Sequence, residues 1–100
     1  VITVQSTRTF DKWLLRLKDF ETKQRINARI SRLMHGYPGD EKALGHGVRE
    51  LRIHVGPGYR LYYVKRGDRL IVLLCGGNKS SQESDIRTAM ALAKGEFQDG

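Results

Sequence analysis

Between residues 48 and 75 three strand-like runs follow one another with almost no chain between them: VRELRIHV, YRLYYVKR and RLIVLLC. The links are Gly56-Pro57-Gly58 and Gly67-Asp68. Connections this short cannot cross a sheet, so successive strands must lie antiparallel as hairpins. A meander of this kind needs helices packed against it, and the flanking sequence supplies them.

On the upstream side, ITVQS alternates Ile2 and Val4 with polar residues, the period of a short strand. A helix is then expected, with Thr9 as N-cap, Asp11 in its first turn and Phe10, Trp13, Leu14 and Leu17 as its buried stripe. A second helix is expected over Glu21–His35, burying Ile26, Ile30 and Leu33 and ending at Gly36. Residues 36–47, GYPGDEKALGHG, read as a glycine-punctuated surface loop. Downstream, Ser80 and Glu83 have the spacing of a capping box, and Ile86, Ala89, Met90 and Ala93 give a last helix its stripe. The expected order is βααβββα: an α+β fold with a small, mainly antiparallel sheet and helices packed on one face.

At 100 residues there is room for one core, so residues 1–100 are read as a single domain. Cys75 is the lone cysteine, which excludes an internal disulfide and a thiolate zinc cluster and points to a reducing, cytoplasmic setting. No cluster has the spacing of metal ligands, and neither a metal nor another cofactor is expected. The longest apolar run, LIVLLC, falls far short of the roughly 20 residues that span a bilayer, and no leader is evident, so no membrane association is expected.

The net charge is +7. Its distribution says more than its sum: Arg49 to Lys79 holds seven basic residues against Glu50 and Asp68, whereas residues 80–100 carry Arg87 and Lys94 against four acids. Such a field favours nucleic acid or an acidic protein.

Strand period sorts these charges by face. If the first hairpin closes through Gly56–Gly58, His54 pairs with Arg60 and Arg52 with Tyr62. Leu51, Ile53, Val55, Tyr59, Leu61 and Tyr63 then face the core, and Arg52, His54, Arg60 and Tyr62 face away from the helices. Pairing Arg66 with Arg69 places Cys75 beside Arg60, with Lys79 just beyond. The result is a cationic, partly aromatic surface. Arginine grips phosphate with two parallel N–H bonds, an aromatic ring stacks on a base, and imidazole moves a proton near neutral pH. RNA cleavage fits this set, with the 2′-OH attacking the adjacent phosphate while Arg60 and Lys79 stabilise the developing charge. The competing readings are structural: Arg60 paired with Glu50 or a C-terminal acid, His54 as a strand-surface residue, and Tyr62 as packing.

The segments TFDKWLLRLKD, GHGVRELRIHVGPGYRLYY, LLCGGNKSSQESDI and AMALAKG together resemble the RelE/ParE toxin superfamily, in the HigB-like branch of addiction-module killer proteins. The resemblance implies a RelE-like fold and a bacterial type II toxin: a metal-independent endoribonuclease that cuts mRNA on the ribosome. It also implies a cognate antitoxin, in this branch usually a helix-turn-helix protein. By it, Arg60 matches the arginine that engages the scissile phosphate, and Arg52 and Lys79 match basic residues on the preceding strand and after the last one. These three are the expected catalytic residues, and His54, Tyr62, Arg49 and Ser80 around them are the expected RNA-contacting set. Relatives often carry an arginine next to the lysine and a later tyrosine that stacks on the codon base. Ser80 stands at the first position, and no tyrosine follows Tyr63. The superfamily also includes gyrase-directed members, and a non-catalytic basic RNA-binding module is the remaining alternative.

Overall fold

The computed structural model describes residues 2–95. Along the chain these form β1 (Thr3–Ser6), α1 (Arg8–Arg16), α2 (Phe20–Met34), β2 (Glu41–Gly45), β3 (Val48–Ile53), β4 (Tyr59–Arg66), β5 (Leu70–Asn78), a single 3-10 turn (Lys79–Ser81) and α3 (Gln82–Lys94). The sheet order is β1-β5-β4-β3-β2. All neighbours are antiparallel except β1 and β5, which run parallel. The expected α+β class with a mainly antiparallel sheet is what the chain adopts.

Helix placement differs from expectation. The α1 and α2 residues Phe10, Ile26 and Leu33 pack with Leu51, Ile53, Leu61, Tyr63, Ile71 and Leu73 on one face of the sheet. On the opposite face Ala89 and Ala93 of α3 cover Val48, Tyr62, Val64, Val72 and Leu74. The helices therefore lie on both faces, because β4 and β5 are apolar on both sides and neither side can be left in water. Small alanines let α3 approach closely.

Residues 36–47 also hold more than a loop. Glu41–Gly45 pairs with β3, and the chain reverses through His46 (φ 55°) and Gly47 (φ 79°). Two successive positive φ angles are the geometry that a tight hairpin requires. Thr7, rather than Thr9, caps α1: its hydroxyl accepts from Phe10 N and donates to Leu74 O at 2.6 Å. The box at the start of the last helical segment is formed by Asn78 and Ser81, not by Ser80 and Glu83.

Hairpin register shifts by two residues relative to the sequence expectation. Arg52 pairs with Arg60 and Glu50 with Tyr62, leaving residues 54–58 as the connection. A shift of two preserves every face, so Arg52, Arg60 and Tyr62 remain on the same side. In the second hairpin Arg66 pairs with Leu70 instead of Arg69, and a bulge between Tyr62 and Tyr63 adds a further one-residue offset. Together they set Cys75 opposite Tyr62 and Gly77, not Cys75, opposite Arg60.

Candidate functional site

The β3–β4 connection and the start of the 3-10 turn enclose a concavity of about 430 Å³, whose lining includes Arg52, His54, Pro57, Tyr59, Arg60 and Lys79. The three expected catalytic residues, Arg52, Arg60 and Lys79, thus line one place. The bend that closes it depends on Gly56 (φ 54°) and Gly58 (φ 81°), conformations costly for other residues. Gly58 also supplies its carbonyl to Arg60 Nη1 at 3.1 Å. Tyr59 is steadied from the other side by Trp13 of α1, edge-on at 6.3 Å between ring centroids.

Beneath the arginines lies Glu50, wholly buried. Its Oε1 accepts from Arg52 Nε at 3.1 Å, and its Oε2 accepts from Tyr62 Oη at 3.1 Å and Gln82 Nε2 at 2.8 Å. Arg60 Nε stands 3.7 Å from the same Oε2 as an ion pair. Burial opposes ionisation of this carboxyl. Hydrogen bonds from Gln82, Arg52 and Tyr62, with the Arg52 charge, outweigh it and hold the group below the ordinary carboxylate range. The buried carboxylate thus orients Arg52 by a hydrogen bond and faces Arg60 as a counter-charge, while Arg60 Nε itself has no hydrogen-bond partner among the described residues.

Lys79 and Ser80 are solvent-exposed. Asn78 organises them: its side-chain oxygen accepts from Ser80 N at 2.9 Å, Ser81 N at 3.3 Å and Ser80 Oγ at 2.6 Å. The Ser80 hydroxyl is thereby committed to the turn.

Two residues expected to contact RNA are placed elsewhere. Tyr62 has no exposed surface, and its hydroxyl serves Glu50 while burial and the Glu50 charge push its ionisation far up. It cannot stack on a base, because α3 covers its face of the sheet. Arg49 lies on the other face, across from Tyr63, and bonds Glu41 Oε1 at 3.0 Å, with Tyr63 Oη donating to the second Glu41 oxygen. Odd and even positions of β3 point opposite ways, so Arg49 and Arg52 cannot share a surface.

His54 falls just beyond β3, largely exposed, with Nε2 2.6 Å from Asp40 Oδ2. That contact, first among the causes, lowers the Asp40 carboxyl below its ordinary range. The pairing of Arg60 with Glu50 that the sequence offers as a structural reading is present, but with a buried carboxylate instead of a surface one. Asp40, Gln82 and Arg29 are the partners to which the sequence assigns no role. Glu50 alternates in phase with Arg52, which puts it on the face of Arg60 and Tyr62.

Among the described residues, no group of three or more His, Cys, Asp and Glu side chains is placed to hold a metal ion, and no helix is long and apolar enough to cross a membrane. Glu96 and Asp99, two of the C-terminal acids considered as partners for Arg60, lie outside the described residues. Chemically, the concavity offers two oriented guanidinium groups and an ammonium to an anion, with an imidazole at the rim.

Residues 12–97 match the family described as Phage derived protein Gp49-like (DUF891). The chain is also 48% identical over 93 residues to an uncharacterized protein of Haemophilus influenzae, a match that covers 93% of this chain and 94% of that protein.

Proposed function

Because the chain belongs to the phage-derived Gp49-like family, and because its cationic pocket matches the RelE-type residues, we propose that it is the toxin of a bacterial type II toxin-antitoxin system. In this reading it is a metal-independent endoribonuclease of HigB-like type that cleaves mRNA on the ribosome in the cytoplasm. The observation that carries the reading is the convergence of Arg52, Arg60 and Lys79 on one concavity.

The 2′-oxygen of the substrate attacks the adjacent phosphorus and the 5′-oxygen departs, leaving a 2′,3′-cyclic phosphate. Negative charge grows on the non-bridging oxygens during that displacement. Arg60, held by Glu50 and the Gly58 carbonyl, meets that charge without having to reorganise, and Arg52 and Lys79 bind the flanking phosphates. A site built from cations and no enclosed base pocket relies on the ribosome to align the 2′-OH with the leaving group, so free RNA is a poor substrate. A helix-turn-helix antitoxin that masks the cationic rim completes the system.

The test is expression without antitoxin, with transcript 5′ ends and DNA breaks mapped together. Cuts in translated messages at codon spacing support the reading. Trapped DNA breaks indicate a gyrase-directed toxin, and growth arrest with neither product indicates passive RNA binding.

A further inference from the structure

Asp40 and His54 meet at the surface, and the backbone segments that carry them are tied together by Arg29. Arg29 of α2 donates from Nη1 to Arg52 O at 2.5 Å and from Nη2 to Pro38 O at 2.8 Å, and Arg52 N donates to Asp40 O at 2.9 Å. The strand end that presents Arg52 to the pocket therefore also fixes the loop that carries Asp40. Gly39 (φ +75°) lets that loop close, since a Cβ there would stand 2.9 Å from Arg29 Nη2. The guanidinium is placed there against its own solvation: burial lowers its pKa, and Arg29 Nε has no hydrogen-bond partner among the described residues. A chance surface ion pair has no such foundation. His54 in turn lines the same concavity as Arg52, Arg60 and Lys79.

We propose that His54 is the general base of the cleavage reaction and that Asp40 is the positioning residue that holds its imidazole. The inference rests on the nuclease reading above. The Asp40 carboxylate engages Nε2, which makes Nε2–H the donor of that contact and leaves the exchange with substrate to Nδ1. The Nδ1 lone pair takes the proton of the 2′-OH as the P–O2′ bond forms. The P–O5′ bond breaks, the departing 5′-oxygen takes a proton from water, and the imidazolium returns its proton to solvent. No oxidation or reduction is involved.

The experiment is single-turnover cleavage of a short message on programmed ribosomes by the purified full chain and its variants. His54→Ala should slow the cleavage step by about 10²-fold or more while ribosome binding is retained. Added imidazole should restore the rate in proportion to its free base, since the side chain it replaces is open to solvent. Asp40→Asn should lower kcat by about tenfold with KM unchanged, and Asp40→Glu should recover part of the loss. Arg60→Ala reports on the nuclease reading separately. If Arg60→Ala is inactive while His54→Ala cleaves at the wild-type rate, the pair is overturned and the nuclease reading stands. A slow His54→Ala with raised KM and no response to imidazole assigns His54 to binding and also overturns the proposal. If the wild-type chain cuts no message on the ribosome, the pair has no reaction to serve and both readings fall together.

Discussion

Arg60 Nε lies 3.7 Å from Glu50 Oε2, and the carboxylate it faces has no exposed surface. Charges on a sheet surface usually meet in water, where their attraction is small. Here the partner is buried and shared with Arg52, Tyr62 and Gln82, so it gives Arg60 a counter-charge out of water, while the Gly58 carbonyl orients the guanidinium through Nη1.

Arg60→Ala should therefore separate activity from stability. Glu50 keeps three hydrogen bonds without it, and the expected loss of folding stability is about 1–2 kcal/mol. Cleavage should fall by roughly 10²-fold or more, the scale for removal of one preorganised charge stabiliser. Arg60→Lys should recover little, because an ammonium cannot reproduce the planar two-bond grip. Thermal melts and transcript mapping on the three proteins check this, and a folded Arg60→Ala variant that still cuts messages normally removes Arg60 from the mechanism.

Glu50 should make stability depend on acid. Its folded-state pKa lies below the ordinary value of 4.5, so its contribution is complete above that value and is lost as pH falls through the depressed one. Glu50→Gln should accordingly lose less stability than the wild type as pH drops below 4.5. Glu50→Ala, which leaves two guanidinium groups without their counter-charge, should cost about 3–5 kcal/mol near neutrality. Parallel curves for wild type and Glu50→Gln in acid denaturation would argue against an ionised Glu50.

The glycine pair at the end of β5 should resist any side chain. A Cβ on Gly76 would lie 2.3 Å from the Trp13 ring, and one on Gly77 would lie 1.8 Å from Asp85 Oδ2. Gly76→Ala should destabilise by about 1–3 kcal/mol through displacement of the indole. Gly77→Ala should lower activity as well, since Gly77 pairs with Arg60 and Asp85 cannot keep its bond to Ser81. Melting temperature and cleavage rate measured on both variants test the difference.

Cys75 should be inert in the folded protein. Burial, with Asp85 nearby, pushes its thiol up to about 12. A thiol reagent at pH 8 should leave the native chain unmodified and label it fully in denaturant. Rapid labelling of the native chain would mean that α3 opens from the sheet.

The strand faces were legible in the sequence because side-chain direction repeats every second residue. A hairpin misplaced by two residues still put Arg52, Arg60 and Tyr62 on one side. The second layer was not legible. Ala89 and Ala93 make a weak apolar signal, and a face that carries Arg52 and Arg60 looks solvated until Glu50 is seen beneath it. β2 was missed because EKALG between glycines has the composition of a loop and gains its strand character from pairing with β3. The Asp40–His54 contact spans 14 residues and depends on an arginine in a third element, a relation that no local pattern encodes.

The parallel pairing of β1 with β5 has a consequence for the order in which the molecule is made. Thr7, at the junction of β1 and α1, spends its hydroxyl on a carbonyl 67 residues further along the chain. During translation the first strand and helix leave the ribosome long before their partner strand exists, and contacts of such separation form late. The pocket obeys the same schedule, since Lys79 follows β5 and Gln82, which holds Glu50, follows Lys79. A nascent chain interrupted before residue 70 has Arg52 and Arg60 but neither the strand beside Arg60 nor the helix that covers Glu50. Truncated products of this chain thus lack part of the site itself: the strand beside Arg60, the lysine of the rim and the amide that holds the buried carboxylate.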